Sequence, residues 1–169
     1  MNNWSIRKAK LDDVDVAWTI VQSAIAKRAA EGSQQWQDGY PNIESLKGDV
    51  ANDTAFLLLF NEQIVGYAAL IFDIEPAYEE IEGKWLSNTP YGVIHRMATK
   101  KIDGIKGVGT TFLQLLERET ILNGYNSLKV DTNFDNTAML LVFEKLGYKY
   151  CGEVYFRGSA RRAYEKQLG

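Results

Sequence analysis

The sequence has one cysteine, one histidine and no long hydrophobic run, and each scarcity excludes a class of protein. Cys151 alone cannot form an internal disulfide, which favours a reducing compartment. The apolar runs are far shorter than the roughly 20 residues that a membrane-spanning helix needs. The first residues lack the charged-then-apolar pattern of a secretion signal. We therefore expect a cytoplasmic protein that does not associate with a membrane.

Clusters of basic residues and of metal ligands are also missing. The 19 lysines and arginines are spread among 22 acidic residues, for a formal net charge of −3. No basic block supplies the electrostatic footprint of a nucleic-acid-binding protein. Cys151 follows Tyr150 in an apolar, strand-like segment, and no histidine adjoins it. We expect Cys151 to be a small buried residue, and we expect no metal site.

The spacing of apolar and turn-forming residues predicts an α/β protein with a mixed sheet. No linker or repeat divides the 169 residues, so we expect a single domain over residues 1–169. A strand near 5–8 and a helix from 12 to 31 come first, and Asn42 then caps a short helix. The residues 75–88 are predicted to be irregular. The remaining elements are strands at 55–60, 64–74, 92–99 and 127–132, helices ending at 123–124 and following 135–136, and a hairpin of 148–156 with 160–166.

The most informative motif is the glycine-rich turn Gly107-Val108-Gly109-Thr110. It follows a predicted strand and opens an amphipathic helix with Phe112, Leu115 and Leu116 on its apolar face. Such a turn leaves backbone N–H groups unpaired at the positive end of the helix dipole. The motif therefore predicts a site for a phosphate or pyrophosphate, and hence for a phosphorylated cofactor.

Two common phosphate-binding motifs match this turn poorly. A nucleoside-triphosphate loop needs a lysine after its last glycine, and here Thr110 follows Gly109 directly. A dinucleotide fingerprint would use Gly107 and Gly109, with Asp131 about 20 residues later as the ribose-binding acid. Phe112 stands where that fingerprint has its third glycine. The dinucleotide interpretation predicts NAD binding and remains the weaker alternative.

A second signature lies about 27 residues further along the chain. Asn136 is followed seven residues later by Phe143, and then by Glu-Lys-Leu-Gly-Tyr at 144–148. Together with residues 99–110, this pattern resembles the GCN5-related N-acetyltransferase (GNAT) family, and the order of elements agrees over nearly the whole chain. The resemblance implies a mixed, mostly antiparallel sheet flanked by helices on both faces. It also implies acetyl-CoA as a co-substrate.

The resemblance further implies which residues bind acetyl-CoA. The strand end, Met97, Ala98 and Thr99, pairs with the pantetheine arm. The turn holds the pyrophosphate with Lys106, Gly107, Val108, Gly109 and Thr110. Three residues of the second signature lie near the arm or the nucleotide: Asn136, Phe143 and Lys145. Two positions depart from the family pattern. Gly104 replaces an arginine or glutamine, and Phe143 replaces a tyrosine proposed to protonate the departing thiolate.

Acetyl transfer to an amine needs a group that accepts the amine's proton, because an alkylamine has a pKa near 10.4. His95 is the only histidine and lies four residues before Thr99 on the predicted strand. An ordinary histidine pKa of about 6.5 suits a general base, and some arylalkylamine acetyltransferases of the family place a catalytic histidine here. A purely structural role for His95 is the alternative, with Glu79, Glu80 or Glu82 acting through water. Arg96 is expected to form a structural ion pair.

Aromatic residues are the candidates for the acceptor site. Trp36 and Tyr40 lie on the loop between the first two helices, and Trp85 and Tyr91 flank the strand of His95. A local hydrophobic plug is the alternative role for the loop aromatics. We expect an acetyl-CoA-dependent N-acetyltransferase that uses direct transfer in a ternary complex to a primary amine of a small molecule or peptide. A non-catalytic CoA-binding module is the alternative, favoured by Phe143. Dimerisation is common in the family, so a homodimer is also considered.

Overall fold

The computed structural model describes residues 2–169 and has a mixed α/β fold, as expected. Within these residues, eight strands form a mostly antiparallel sheet, accompanied by helices. A 3-10 turn, Leu11–Asp13, precedes α1. In chain order the elements are β1 Trp4–Lys8, α1 Val14–Ala30, α2 Ile43–Ala51, β2 Ala55–Phe60, β3 Gln63–Ile71, α3 Pro76–Glu79, β4 Glu82–Gly83, β5 Gly92–Thr99, α4 Val108–Leu122, β6 Ser127–Thr132, α5 Thr137–Lys145, β7 Lys149–Phe156 and β8 Ser159–Gln167.

The segment between β3 and β5 differs from the prediction at two places. β3 ends at Ile71 rather than at residue 74, and beyond it the carboxylate of Asp73 accepts a hydrogen bond from the Ile74 amide. Such a local bond competes with the strand ladder. The residues 75–88, predicted to be irregular, contain α3 with Pro76 in its first turn. They also contain β4, which pairs with β7. Gly83 is required there, because an added Cβ would lie 2.1 Å from the Cys151 carbonyl oxygen.

The first of two compact units comprises the chain up to Leu70 together with His95–Leu116. In it β2 pairs antiparallel with both β1 and β3. Residues of α1 and α2 pack on this part of the sheet, with Val21, Leu46, Leu57 and Tyr67 at most 1% exposed. Asn42 caps α2 by accepting a hydrogen bond from the Ser45 amide, as predicted.

The second unit comprises Ile71–Ile94 and Glu117–Gly169. The start of β5 runs parallel to β6, and β6 is antiparallel to β8. The predicted hairpin is confirmed: β7 and β8 meet at Arg157 and Gly158, both with a positive φ. Cys151 is buried, as expected. Across residues 2–169 we find no helix that combines the length and hydropathy needed to cross a membrane.

Candidate functional site

The turn between β5 and α4 is the candidate anion site. Gly107 precedes the helix with φ +72°, a left-handed conformation that glycine adopts without strain. The Thr111 amide donates to the Gly107 carbonyl at 2.9 Å and begins the helical ladder. The amides of Val108, Gly109 and Thr110 therefore belong to the first turn of α4, where the helical ladder has not yet begun. Lys106 is exposed beside them. These groups suit a pyrophosphate.

Close packing holds the start of α4 against β3 and against the end of β5. Gly66 of β3 leaves room for the ring of Phe112, which would lie 3.1 Å from an added Cβ and is 0% exposed. An added Cβ on Gly109 would lie 4.0 Å from Cε of Met97. The strand end and the glycine turn are therefore neighbours in the first unit, as the cofactor prediction requires. Ala98 is buried there, and Thr99 is half-buried.

His95 is half-buried on β5, directly before a residue with unusual backbone geometry. Arg96 has φ +56°, which is uncommon for a residue with a side chain and interrupts the regular alternation of the strand. Its guanidinium donates to the Asp49 carboxylate from Nε at 2.8 Å and from Nη2 at 2.5 Å. The expected structural ion pair of Arg96 is thus confirmed, with α2 as its partner element.

Two tyrosines complete the Arg96–Asp49 cluster. The hydroxyl of Tyr67 donates to Asp49 at 2.5 Å, and burial together with this bond raises the pKa of Tyr67. The hydroxyl oxygen of Tyr40 accepts a hydrogen bond from Nη1 of Arg96. Tyr40, predicted to contact the acceptor, therefore lies against the residue that follows His95.

The loop that carries Trp36 and Tyr40 is held to α1 by a buried arginine. Arg28 is 7% exposed and donates to Glu31, Ser33 and Gln35, at 2.6, 2.9 and 3.2 Å. Trp36 follows with φ +63° and is half-buried. These hydrogen bonds therefore give the loop a defined conformation, which is what an acceptor-binding loop needs.

In the second unit, Trp85 and Tyr91 enclose a buried lysine. The Nζ of Lys129 lies 4.5 Å from the ring centroid of Trp85 and 4.0 Å from that of Tyr91. Lys129 is 3% exposed, and burial lowers its pKa. Trp85 also donates to the Tyr78 carbonyl at 2.8 Å. Both aromatic residues thus have a structural function in this cluster, and their role toward the acceptor stays a prediction.

The residues of the second signature lie around α5. The side chain of Asn136 accepts from the Met139 amide at 3.3 Å and donates to Thr132 Oγ1 at 3.1 Å, so it caps the helix. Phe143 is 3% exposed, with its ring 5.5 Å from that of Tyr148 and 5.2 Å from that of Tyr164. Lys145 is exposed. Their contact with the cofactor stays a prediction.

The tyrosine beside Phe143 is a poor substitute for the missing proton donor. Tyr148 donates its hydroxyl to Glu117 at 2.7 Å. Burial, and then the charge and hydrogen bond of Glu117, raise the pKa of Tyr148 well above its ordinary value. A phenol with a raised pKa gives up its proton less readily.

Several buried charged residues of these clusters were not identified from the sequence. Asp49 lies between the apolar Leu46 and Val50 on α2. A charged residue at such a position indicates that its side chain is buried beside an oppositely charged partner, and this was the signal available in the sequence. Glu165 is 0% exposed and accepts from Ser87 Oγ at 2.6 Å and from Ser127 Oγ at 2.7 Å. The alternation of β8 alone carried no signal for that burial.

The described residues contain no cluster of three or more histidine, cysteine, aspartate or glutamate side chains arranged to hold a metal ion.

The comparisons with known proteins are informative about the family. A search of curated proteins found no match. A structure of a GNAT-family acetyltransferase from Streptococcus agalactiae is 34% identical, with a TM-score of 0.88, over 98% of this chain and 96% of that one.

Two more distant structures support the fold alone. A ribosomal-protein-alanine N-acetyltransferase from Brucella melitensis is 17% identical, with a TM-score of 0.69, over 97% of this chain and 99% of that one. The yncA protein of Salmonella typhimurium, solved with acetyl-CoA, is 16% identical with a TM-score of 0.68. The match covers 99% of this chain and 95% of that one. The family model described as the acetyltransferase (GNAT) family matches residues 22–148. The chain therefore belongs to the GNAT acetyltransferase family.

Proposed function

We propose that this protein is an acetyl-CoA-dependent N-acetyltransferase, one domain over residues 1–169, that acetylates a primary amine of a small molecule or peptide by direct transfer in a ternary complex. The observation that carries the proposal is the adjacency of the end of β5 and the glycine turn of α4. Met97 and Gly109 are neighbours, and the amides of Val108, Gly109 and Thr110 lie in the first turn of α4, where the helical ladder has not yet begun. Membership of the GNAT family supports acetyl-CoA as the ligand of these groups.

The residues present fit this co-substrate. The backbone amides from Lys106 to Thr110 would hold the pyrophosphate, and the strand Met97 to Thr99 would pair with the pantetheine arm. Asn136, Phe143 and Lys145 would contribute further contacts, as the family signature implies. Gly104, in place of an arginine or glutamine, removes a side chain but none of the amides.

The chemistry assigned to the chain is the removal of a proton and the stabilisation of a developing charge. Bound acetyl-CoA supplies the activated acetyl group as a thioester. His95 would accept the proton of the amine nitrogen as that nitrogen attacks the carbonyl carbon. A backbone N–H near Met97 would donate to the carbonyl oxygen, and such a donor contributes about 3 kcal/mol in a transition state. Because Phe143 has no proton to give, protonation of the departing thiolate is assigned to water.

The acceptor would approach through the loop aromatics. Tyr40 contacts Arg96, the residue after the proposed base, and Trp36 precedes it on the same loop. Trp85 and Tyr91 are the other two residues proposed to contact the acceptor. A non-catalytic CoA-binding module is the second candidate, favoured by the buried Phe143. Both candidates predict CoA binding, and only the first predicts turnover.

The first experiment is a calorimetric titration with acetyl-CoA, with NAD as the control ligand. We expect micromolar binding of acetyl-CoA and no binding of NAD. Release of free thiol from acetyl-CoA would then be followed with a panel of primary amines. Binding without thiol release from any amine would support the non-catalytic module. Absence of acetyl-CoA binding would overturn both candidates.

A further inference from the structure

Arg96 combines a place inside a strand with a left-handed backbone. Among residues 2–169, the other residues that have a side chain and a positive φ all lie in turns. Such a conformation is strained for a residue that carries a Cβ, and it persists only where the surrounding contacts fix it. Strain of this kind concentrates at functional sites. The contacts that hold Arg96 therefore bear on the function of the residues beside it.

The left-handed residue lies between the two groups of β5 that are assigned to the chemistry. His95 precedes Arg96, and Met97, near the proposed backbone donor, follows it. In a regular strand Arg96 would face away from both neighbours, on the opposite side of the sheet. An irregularity of this kind changes the direction of the neighbouring side chains and amides. The placement of His95 and of the backbone near Met97 therefore depends on how Arg96 is held.

The guanidinium of Arg96 is held on two sides by segments that are distant in the sequence. Asp49 of α2 accepts from Nε at 2.8 Å and from Nη2 at 2.5 Å, so it occupies one edge of the planar group. The same carboxylate accepts from the hydroxyl of Tyr67 on β3 at 2.5 Å. The hydroxyl of Tyr40, on the loop between α1 and α2, accepts from Nη1. The carboxylate is therefore fixed by two elements, and Tyr40 links the guanidinium to the loop.

Tyr40 is predicted from the sequence to contact the acceptor, and its hydroxyl has a partner on the strand of the proposed base. The hydrogen bond joins the loop to a residue that directly follows His95. A displacement of the loop would therefore be passed to the guanidinium and from there to β5. We propose that Tyr40 is a positioning residue of the acetyl transfer: through Arg96, its hydroxyl aligns the loop proposed to receive the acceptor with His95. This inference rests on the proposed acetyltransferase function and concerns the alignment of its site.

Two tyrosine-to-phenylalanine variants separate positioning from support of the fold. Tyr40→Phe removes the hydroxyl that accepts from Arg96 and keeps the ring. Tyr67→Phe is the matched control, because it removes a hydroxyl from the same cluster and leaves both bonds from Arg96 to Asp49 in place. Tyr67 is 1% exposed, whereas Tyr40 is half-buried on a loop. We therefore expect the control to lower the urea midpoint of unfolding more than Tyr40→Phe does.

Steady-state kinetics would use acetyl-CoA and the primary amine that the wild type acetylates fastest. We expect Tyr40→Phe to lower kcat by about 10- to 100-fold, the range of a hydrogen bond to a charged group. A lower kcat with KM for the amine within about threefold is the signature of lost alignment rather than lost binding. Calorimetric affinity for acetyl-CoA should be unchanged, and Tyr67→Phe should keep the wild-type kcat.

A spectroscopic measurement follows the proposed base directly. The sequence contains one histidine, so the imidazole of His95 gives a single carbon-13 signal from its Cε1 in untagged protein. Tyr40→Phe should shift this signal, because movement of β5 changes the surroundings of the ring. Tyr67→Phe should leave the signal close to its wild-type position. An unmoved signal in Tyr40→Phe would contradict the positioning role.

A double variant tests whether Tyr40 acts through Arg96. Arg96→Lys keeps the positive charge and loses the planar fork. In this background Tyr40→Phe should lower kcat no further, as expected for two residues that act through one contact. Where Arg96→Lys does not fold, the comparison of Tyr40→Phe with Tyr67→Phe decides by itself.

The results that overturn this inference differ from those that overturn the proposed function. A higher KM for the amine with kcat retained in Tyr40→Phe would make the hydroxyl an acceptor contact instead. Unchanged kinetics in Tyr40→Phe, or an equal loss of kcat in Tyr67→Phe, would also overturn the positioning role. Each of these results leaves the proposed function standing. A wild type that binds acetyl-CoA but acetylates no amine would overturn the proposed function, and this inference with it.

Discussion

The guanidinium of Arg96 and the carboxylate of Asp49 form a pair of parallel hydrogen bonds that joins β5 to α2. Asp49 is buried, with 7% of its side chain exposed, and Arg96 is mostly enclosed, with 12% exposed. Tyr67 donates to the same carboxylate, and Tyr40 accepts from the same guanidinium. The pair therefore fixes the position of Arg96, whose backbone has a left-handed conformation directly after His95. Through Tyr40 it also fixes the loop predicted to bind the acceptor.

Breaking this pair should destabilise the protein strongly. In Asp49→Ala the guanidinium of Arg96 stays buried without its counter-charge, and removal of one partner of a buried pair costs about 3–5 kcal/mol. The free energy of unfolding in urea measures the loss. Glu44→Ala is the matched control, because Glu44 forms an exposed pair with Lys47 on the same helix, 3.5 Å apart. The control should change stability by about 1 kcal/mol or less. Similar losses in the two variants would contradict the structural importance of Asp49.

Replacing the proposed base should lower turnover and spare the cofactor site. His95→Ala is expected to reduce kcat by about 10²- to 10⁴-fold, the usual contribution of a general base. Calorimetric affinity for acetyl-CoA should stay within about twofold of the wild type. The deficit should shrink as pH approaches the amine pKa near 10.4, because the amine then loses its proton without help. Full activity in the variant would move the role to Glu79, Glu80, Glu82 or water.

The glycine before α4 should matter for cofactor affinity because of its backbone conformation. At φ +72° an alanine is strained by about 1 kcal/mol, and relief of that strain would move the amides after residue 107. We expect Gly107→Ala to weaken acetyl-CoA binding by about tenfold, as measured by calorimetry. Gly124→Ala is the control, since Gly124 has φ +90° and equally open space but follows the other end of α4. Equal acetyl-CoA affinity in both variants would argue against the loop as the pyrophosphate site.

Burial of Lys129 should make stability depend on pH. Burial lowers its folded-state pKa, while Glu165, Glu79 and Cys151 act in the opposite direction. Between this lowered pKa and the ordinary lysine pKa of 10.5, the unfolded chain binds more protons than the folded one. The stability of the wild type should therefore rise with pH in this window, relative to Lys129→Met. Urea unfolding of both proteins at several pH values up to about 10.5 measures this difference, and a constant difference would contradict the effect.

Much of the fold could be predicted from local sequence. Asn42 and Asn136 begin their helices, and the two-residue turn at Arg157-Gly158 closes the last hairpin. These signals work because a cap or a left-handed turn depends on backbone preferences of only a few neighbouring residues. The secondary structure of the segment after β3 could not be predicted in the same way from local sequence. The two-residue β4 exists through its pairing with β7, far along the chain.

The sequence by itself determined the family and the place of the glycine turn before α4, because motif spacing and glycine conformations are local properties. Only the tertiary structure decided how the charged residues are used. Asp49 is 47 positions from Arg96, and Lys129 becomes buried when Trp85 and Tyr91 cover it. Likewise, only the packing around Arg161 buries its Nε without a hydrogen-bond partner among residues 2–169. Whether a charge can be buried depends on partners from distant segments, and no local pattern contains that information.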